Sequence, residues 1–390
     1  MSSTNEKKIN WSVIFPFCSI FAAISVAALL LIVIPPLVTT PEPTEPQPTE
    51  PSAYYIMDAY EEMVTKKLSE AEAAVYDVEK VLWIRDDAAV APVPNPEGFG
   101  QVDDPSTLQW LLDEAADVLD GQETVFRTDV QIMPGSKITY YLDDTIFVVI
   151  WQEILDNFVY TMAEVKVMHP SQFRRHLANN EYNSDYIHPV SRMAGMVNAV
   201  MASSADYYRG RNHGIIVYQG EVKRTKYSEL VDTCFIDRNG DLILVPANEL
   251  NGDEAAQAFV DAHNIDFSIA FGPILVDNGE RCEPENYYLG EVNDKYPRAA
   301  LCQKDKLHYV IVAANGKDGY WERPTIHTFA KNVATLGCQK AYTLDGGQTG
   351  TISMMGKAQN PVQGQERWIT DMIYFATAIP SKEVPEPTTP

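Results

Sequence analysis

The stretch ITYYLDDTIFVVIWQEI, residues 138–154, sets the fold class. Its residues alternate or run apolar with β-branched and aromatic types, the texture of strands. FVYTMAEVKVM (158–168) continues it, and HPSQFRRHLANN (169–180) reads as a short helix opened by Pro170-Ser171. HGIIVYQGEVKR (213–224) reads as a hairpin around Gln219-Gly220, and CFIDRNGDLILVP (234–246) as a second one turning at Asn239-Gly240. DRNGD also resembles the start of a calcium loop, but Leu242 stands where an EF-hand needs glycine, which favours the hairpin. Residues 253–263 and IHTFAKNVATLG (326–337) are helical, SIAFGPILVDNG (268–279) is strand–turn–strand, and DMIYFATAI (371–379) is a final strand. The expected fold is therefore α+β, a mixed β-sheet core with helices packed outside, spanning about 124–380.

Upstream the texture differs. Asp104-Pro105-Ser106 starts a helix, LQWLLDEAADVL, that ends at Asp120-Gly121 and packs an apolar face including Trp110. Residues 54–84 carry apolar side chains at three- and four-residue spacings, so 54–123 reads as a helical stalk region. Before it, TTPEPTEPQPTEP (39–51) favours an extended spacer, giving a Pro-rich linker over 39–53. Residues 381–390, SKEVPEPTTP, share that composition and read as a disordered tail. Residues 11–34, WSVIFPFCSIFAAISVAALLLIVI, lie in a charge-free gap between Lys8 and Glu42. A helix of that length crosses a ~30 Å hydrocarbon core, and the run is longer than a cleaved signal peptide requires. We read 11–38 as a transmembrane signal anchor. Lys7 and Lys8 then keep the tail, residues 1–10, in the cytoplasm and export the rest. The expected location is the cell membrane, single-pass, with the C-terminal domain extracellular.

The 390-residue chain carries 30 Lys and Arg against 54 Asp and Glu, a formal charge of −24. That excludes a general nucleic-acid binder, whose affinity rests on clustered cations. Nearly all of the acidity lies on the exported side, with Cys234, Cys282, Cys302 and Cys338. No two of these cysteines are close enough for a zinc ribbon or a redox CxxC motif. An oxidising exterior permits up to two disulfides in three pairings, or the thiols are free and buried.

GCQKAYTLDGGQTGTISMMG (337–356) presents a strand ending at Leu344-Asp345, then Gly346-Gly347. Two glycines after a strand let the backbone turn sharply and aim N–H groups at an anion. The Asp-Gly pair taken alone reads as an ordinary turn. Its company is more specific: AEVKVMHPSQFRR, VNAVMASSADYYRGRNHGIIVYQGEVKR, AFGPILVDNG, YPRAALCQKDKLHYVIVAANGK, ATLGCQKAY, LDGG and ERWITDMIYFA, in that order. From about Ile138 to Ile379 this resembles the phosphodiester glycosidase family, whose members include the enzyme that uncovers mannose 6-phosphate and bacterial exopolysaccharide-related proteins. The chain departs from the family pattern at several points. It has Ala202-Ser203-Ser204-Ala205-Asp206 where the family commonly reads Ala-Ile-Asn-Gly-Asp, and Asn315-Gly316-Lys317 where it reads Asp-Gly-Arg. Gln348-Thr349-Gly350-Thr351-Ile352 replaces a glycine- and serine-rich run, and Cys302 replaces a glycine after the matching Arg298.

The resemblance implies cleavage of a sugar from a phosphodiester at the anomeric carbon. A phosphomonoester leaves without the proton an alkoxide needs, so the site requires cations and N–H dipoles plus a carboxylate facing the oxocarbenium-like centre. On that logic Asp345 is nucleophile or general base, Asp206 the second carboxylate, and His308 a proton donor or orienting group. Arg298, Lys317 and Arg367 would bind phosphate with the Gly346 and Gly347 amides. Plainer roles stand beside these: Asp206 capping a turn, Glu366-Arg367 as a structural ion pair, His308 as a hydrogen-bonded core residue, Lys317 in an exposed turn. The expected partner is a phosphorylated glycan or cell-envelope polymer, with membrane attachment through the N-terminal helix, no nucleic acid, and no metal or cofactor. A catalytically inactive phosphoglycan-binding module is the alternative, and a structural envelope protein the third reading.

Overall fold

The computed structural model describes residues 90–288, 290–315, 323–362 and 364–378. The anchor, linker, tail, the stalk up to residue 89 and Lys317 lie outside the described residues. Among those described, no helix is long and apolar enough to cross a membrane.

The strands in chain order are β1 (Phe99–Val102), β2 (Ile138–Asp143), β3 (Ile146–Leu155), β4 (Phe158–Val167), β5 (Phe173–Leu177), β6 (Met201–Ser204), β7 (Ile216–Tyr218), β8 (Glu221–Arg224), β9 (Thr233–Asp237) and β10 (Leu242–Val245). They continue with β11 (Ile265–Ile269), β12 (Ile274–Asp277), β13 (Glu280–Arg281), β14 (Arg298–Asp305), β15 (His308–Ala314), β16 (Lys340–Leu344), β17 (Ile352–Met354), β18 (Lys357–Ala358) and β19 (Asp371–Phe375). The helices are α1 (Gln109–Glu114), α2 (Ala116–Leu119), α3 (Val190–Met196), α4 (Asp253–His263) and α5 (Ile326–Ala334).

One nine-stranded sheet, β1-β2-β3-β4-β15-β14-β16-β12-β13, forms the frame. Both of its faces are buried, which explains why its central strands read as apolar runs. On β3, Phe147, Val149 and Trp151 point into one core with α1, α2 and α5, while Ile146, Val148 and Ile150 point into the other. On β15, Val310 and Val312 share the first core, and Tyr309, Ile311 and Ala313 the second. The second core is closed by the sheet β18-β17-β6-β19-β5 and by β10-β9-β11. Both predicted hairpins are present, β7–β8 and β9–β10. In the latter, Asp237 Oδ1 accepts the N–H groups of Asn239 and Asp241, which fixes the turn.

Four expectations need correction. Every strand pairing among the described residues is antiparallel, so the core is α+β but its sheets are not mixed. HPSQFRRHLANN is not a helix: after a single 3-10 turn at Pro170–Gln172 it becomes β5, paired with β19. The folded unit also starts before 124. Strand β1 pairs with β2, and Leu108, Leu111, Ala115, Val118 and Leu119 belong to the first core, so residues 99–119 are part of the domain rather than a stalk. The helix end at Asp120-Gly121 is as read, with both residues at positive φ. Trp110, however, is 43% exposed and meets Tyr140 edge-on instead of packing inward.

All four described cysteines are free; Cys282 is exposed, and Cys234, Cys302 and Cys338 are buried. Burial pushes the Cys234 and Cys302 thiols up, and a hydrogen bond between Cys302 and Cys338 adds to the latter. Alkylation with iodoacetamide read by mass spectrometry is therefore expected to label Cys282 first. The other three should react only after unfolding. Labelling of native Cys302 at the rate of Cys282 would contradict this packing.

Candidate active site

The antiparallel register brings three strand ends to one edge of the large sheet. Arg298, which opens β14, is opposite Ala314 at the end of β15, and Ala299 is opposite Leu344 at the end of β16. Asp345 follows directly. Its N–H donates to the Ala205 carbonyl (3.1 Å), and its own carbonyl accepts from Ser204 Oγ (2.7 Å). Ser204 and Ala205 stand where the chain departs from Asn-Gly, and here they tie Asp345 to the end of β6.

A cavity of about 340 Å³ opens at this edge, lined among others by Tyr207, Arg211, Phe271, Tyr296, Arg298, Asn315, Arg323, Asp345, Gly346, Gly347 and Arg367. Gly346 is required by close approach, since a Cβ there would collide with the Pro297 carbonyl oxygen. Gly347 has φ +69°, a conformation that favours glycine. The turn closes through Thr349, whose hydroxyl donates to the Gly346 carbonyl (2.5 Å). Asn315 Nδ2 donates to the Gly350 carbonyl (2.7 Å), bracing the loop from β15, and its Oδ1 is buried without a hydrogen bond.

Asp345 is 7% exposed. Burial pushes its carboxyl up to about 6, against the lowering pull of Arg367, Thr349 and Arg211. Arg367 Nη2 donates to Asp345 Oδ2 (2.8 Å), and its guanidinium lies 4.8 Å from the Tyr207 ring centroid. The predicted Glu366-Arg367 pair is thus divided: Arg367 goes to Asp345, while Glu366 Oε2 accepts the Ser191 N–H (3.2 Å) at the start of α3. Arg298 is buried, and its Nη2 donates to the carbonyls of Val292 (2.8 Å) and Asp294. Its Nε makes no hydrogen bond, and burial lowers the guanidinium to about 10.

The structure therefore brings together Asp345, Arg298, Arg367, Gly346 and Gly347. Two of the sequence-predicted residues stand elsewhere. Asp206 lies directly behind Tyr207 but does not line the cavity. Its Oδ1 accepts the Tyr207 N–H (2.6 Å) and its Oδ2 the Ala270 N–H (2.8 Å), so it works as a buried cap. His308 begins β15, at the end remote from Ala314 and Asn315. Its Nε2 meets the buried Glu164 Oε1 (2.8 Å) and its Nδ1 meets Oε1 of the half-buried Gln122 (3.0 Å). It is the core histidine of the plainer reading.

The sequence reading missed Arg211 and Arg323. Arg211 follows Tyr207 by one turn, with its N–H donating to the Tyr207 carbonyl (2.8 Å). Gly210 makes that turn, because a Cβ there would strike the Tyr207 ring. Arg211 Nη1 then donates to the Phe271 carbonyl (2.9 Å), with the guanidinium 4.3 Å from that ring's centroid.

Residues 195–376 match the family model described as phosphodiester glycosidase. This segment is similar to a phosphodiester glycosidase domain. The match begins within α3 and contains every residue named above as lining the cavity, while β1–β5 of the described fold precede it. Among solved structures, a hypothetical protein from Synechocystis aligns at 12% identity and TM-score 0.47, covering 64% of this chain and 64% of that one. The chain thus spans a little under two thirds of that structure's length. The catalytic domain of zebrafish N-acetylglucosamine-1-phosphodiester alpha-N-acetylglucosaminidase, auto-inhibited by its pro-peptide, aligns at 14% identity and TM-score 0.48, covering 60% of this chain and 83% of that one. No curated protein matches the chain.

Proposed function

We propose that the chain is a membrane-anchored extracellular hydrolase that cleaves sugar-1-phosphodiester linkages in a glycan or cell-envelope polymer. The observation that carries the reaction is the buried Asp345 carboxylate held against Arg367 in a cavity lined by arginines. The anchoring rests on the apolar run 11–34. When the substrate phosphate enters, it competes for Arg367 and frees the carboxylate to face the anomeric carbon. The C1–O bond then breaks, its electron pair stays on the phosphate oxygen, and a phosphomonoester leaves. Asp345 either bonds to C1, for water to displace later, or takes the proton of a water attacking C1. Arg367 and the Arg298 Nε–H neutralise the charge gathering on phosphate. Asp206 acts here by holding Tyr207 and Ala270 in place.

Incubation with a glucose-1-(methyl phosphate) probe and an assay of free glucose tests this reading. Release supports the hydrolase. Binding without release favours the phosphoglycan-binding module, a reading helped by Asp345 being the single carboxylate among the described lining residues.

The acid side of the pH profile follows from Asp345. It must be ionised to act, and its folded value lies near 6. We expect kcat/KM to rise about tenfold per pH unit up to roughly pH 6 and then level. Arg367→Gln removes a cation that favours the ionised form, so the acid limb should move to higher pH while KM rises. A limb left unmoved in that variant would show that Arg367 does not act on Asp345.

A further inference from the structure

Among the described residues that line the cavity, two polar atoms are buried without a hydrogen bond: Asn315 Oδ1, an acceptor, and Arg298 Nε, a donor. Asn315 is 6% exposed and Arg298 4%. The two residues are neighbours, since Arg298 opens β14 opposite Ala314 and Asn315 follows Ala314. Native folds leave few buried polar atoms unpaired, because each has lost its water and gained nothing in return. Two such atoms side by side in one cavity wall point to a ligand that completes them. Asn315 is held so that its oxygen is the group left to do so. Its Nδ2 donates to the Gly350 carbonyl (2.7 Å), which settles which end of the amide is the nitrogen. A Cβ added at Gly350 would stand 3.3 Å from Oδ1 and 3.2 Å from the Gly346 Cα. The oxygen therefore lies beside the turn that directly follows Asp345.

Chemistry limits what this oxygen can take. An amide oxygen only accepts, so the substrate group must donate. An ionised phosphodiester has no proton to give, so the donor belongs to the sugar. With phosphate on the Arg298 Nε–H and the anomeric carbon at Asp345, the first sugar donor along the ring is on C2. We propose that Asn315 is a specificity-determining residue whose Oδ1 accepts a hydrogen bond from the donor on C2 of the sugar, the hydroxyl of an ordinary hexose. The inference rests on the hydrolase reading for its substrate, but its test is one of binding. Folding has already stripped water from Oδ1, so the incoming donor displaces no hydration there. Hydrogen bonds to a 2-hydroxyl also strengthen toward an oxocarbenium-like state, which makes this position useful to the reaction. The amide suits the place better than the aspartate of the family pattern. It accepts without setting a second negative charge beside an anionic substrate.

Calorimetry on the full chain in detergent compares three monoanionic probes that resist cleavage, because a methylene replaces the bridging oxygen at C1. They are the methyl ester of α-C-glucosyl methylphosphonate and its 2-deoxy and 2-deoxy-2-fluoro analogues. The 2-hydroxyl probe should bind about tenfold more tightly than either analogue. Fluorine keeps the polarity of the position but cannot donate, so the fluoro probe should bind like the deoxy one. Asn315→Ala should reduce the ratio to about twofold or less. Asn360→Ala is the control for a merely structural role. Asn360 Nδ2 donates to the same Gly350 carbonyl (2.7 Å), but Asn360 does not line the cavity. Loosening the loop in that way should weaken all three probes together and leave their ratio near its native value. Equal binding of the three probes by the native protein overturns the proposal even if neither variant folds. So does a ratio that survives Asn315→Ala, or one that falls as far in Asn360→Ala. Release of glucose from glucose-1-(methyl phosphate) is assayed in parallel. Release without any preference at C2 sinks this inference alone, whereas preference without release sinks the hydrolase reading alone.

Discussion

Asp345→Asn is expected to cut sugar release by on the order of 10³–10⁵, the loss typical of removing a nucleophile or base from a working site. The substitution keeps the shape of the side chain. The backbone of residue 345 is held by Ser204 and Ala205 through main-chain atoms that asparagine also has. The fold should therefore persist. Phosphate binding should hold or tighten, since Arg367 no longer has a carboxylate to neutralise. A fall in kcat with an unchanged or lower KM is the signature expected of a group that reacts. A rise in KM at constant kcat would instead make Asp345 a binding group, and activity within tenfold of native would remove it from the chemistry altogether. Loss of the pH limb near 6 in the residual activity is a second, independent mark.

The nine-stranded frame was legible because β3, β4 and β15 are apolar on both faces, and nothing but a buried strand accounts for runs such as Ile146–Trp151. Asp345, Gly346 and Gly347 were legible too, because a strand end followed by two glycines, an ordinary turn by itself, stood in order among the other motifs of the family pattern. What failed depended on distant partners. Phe173–Leu177 contains Arg174, Arg175 and His176, and the Pro170-Ser171 start suggested a short helix. The strand is tolerated because Arg175 meets Asp371, 196 residues further along. Strand β1 has four residues and finds its partner only at Ile138–Tyr141. His308 looked equally suited to core and site, and Glu164, 144 residues away, decides for the core. Arg211 lies in a loop with no period to mark it. Only the turn over Tyr207 delivers it to the cavity.

Arg175→Met is expected to cost about 3–5 kcal/mol of stability, the range for breaking a buried ion pair by removing one partner. Arg175 is fully buried, with Nε and Nη2 donating to Asp371 Oδ2 at 2.9 and 2.7 Å. Its Nη1 donates to the Ser268 carbonyl, and Asp206 Oδ2 stands 3.7 Å from Nη2. One guanidinium thus serves two carboxylates. Burial, reinforced by Asp206 and opposed by Arg175, pushes Asp371 up to about 7. Because that value lies above the unfolded range near 4, the stabilisation linked to Asp371 is complete below the unfolded value and fades as pH rises through about 7. Methionine fills much of the arginine's volume but supplies no charge, so ionised carboxylates become still less tolerable. The deficit of Arg175→Met should therefore widen between pH 5 and pH 8 in urea unfolding. Asp371→Asn removes the like charge while keeping an acceptor, and should cost less than Arg175→Met at pH 8. A deficit below about 1 kcal/mol for Arg175→Met at pH 8 would show that the cluster does not hold the fold. The consequence reaches the cavity, because Asp206 anchors the N–H groups of Tyr207 and Ala270. Tyr207 and Phe271, one residue beyond Ala270, are the rings on which Arg367 and Arg211 rest. Loosening the buried cluster should therefore weaken anion binding at temperatures where the sheet is still folded.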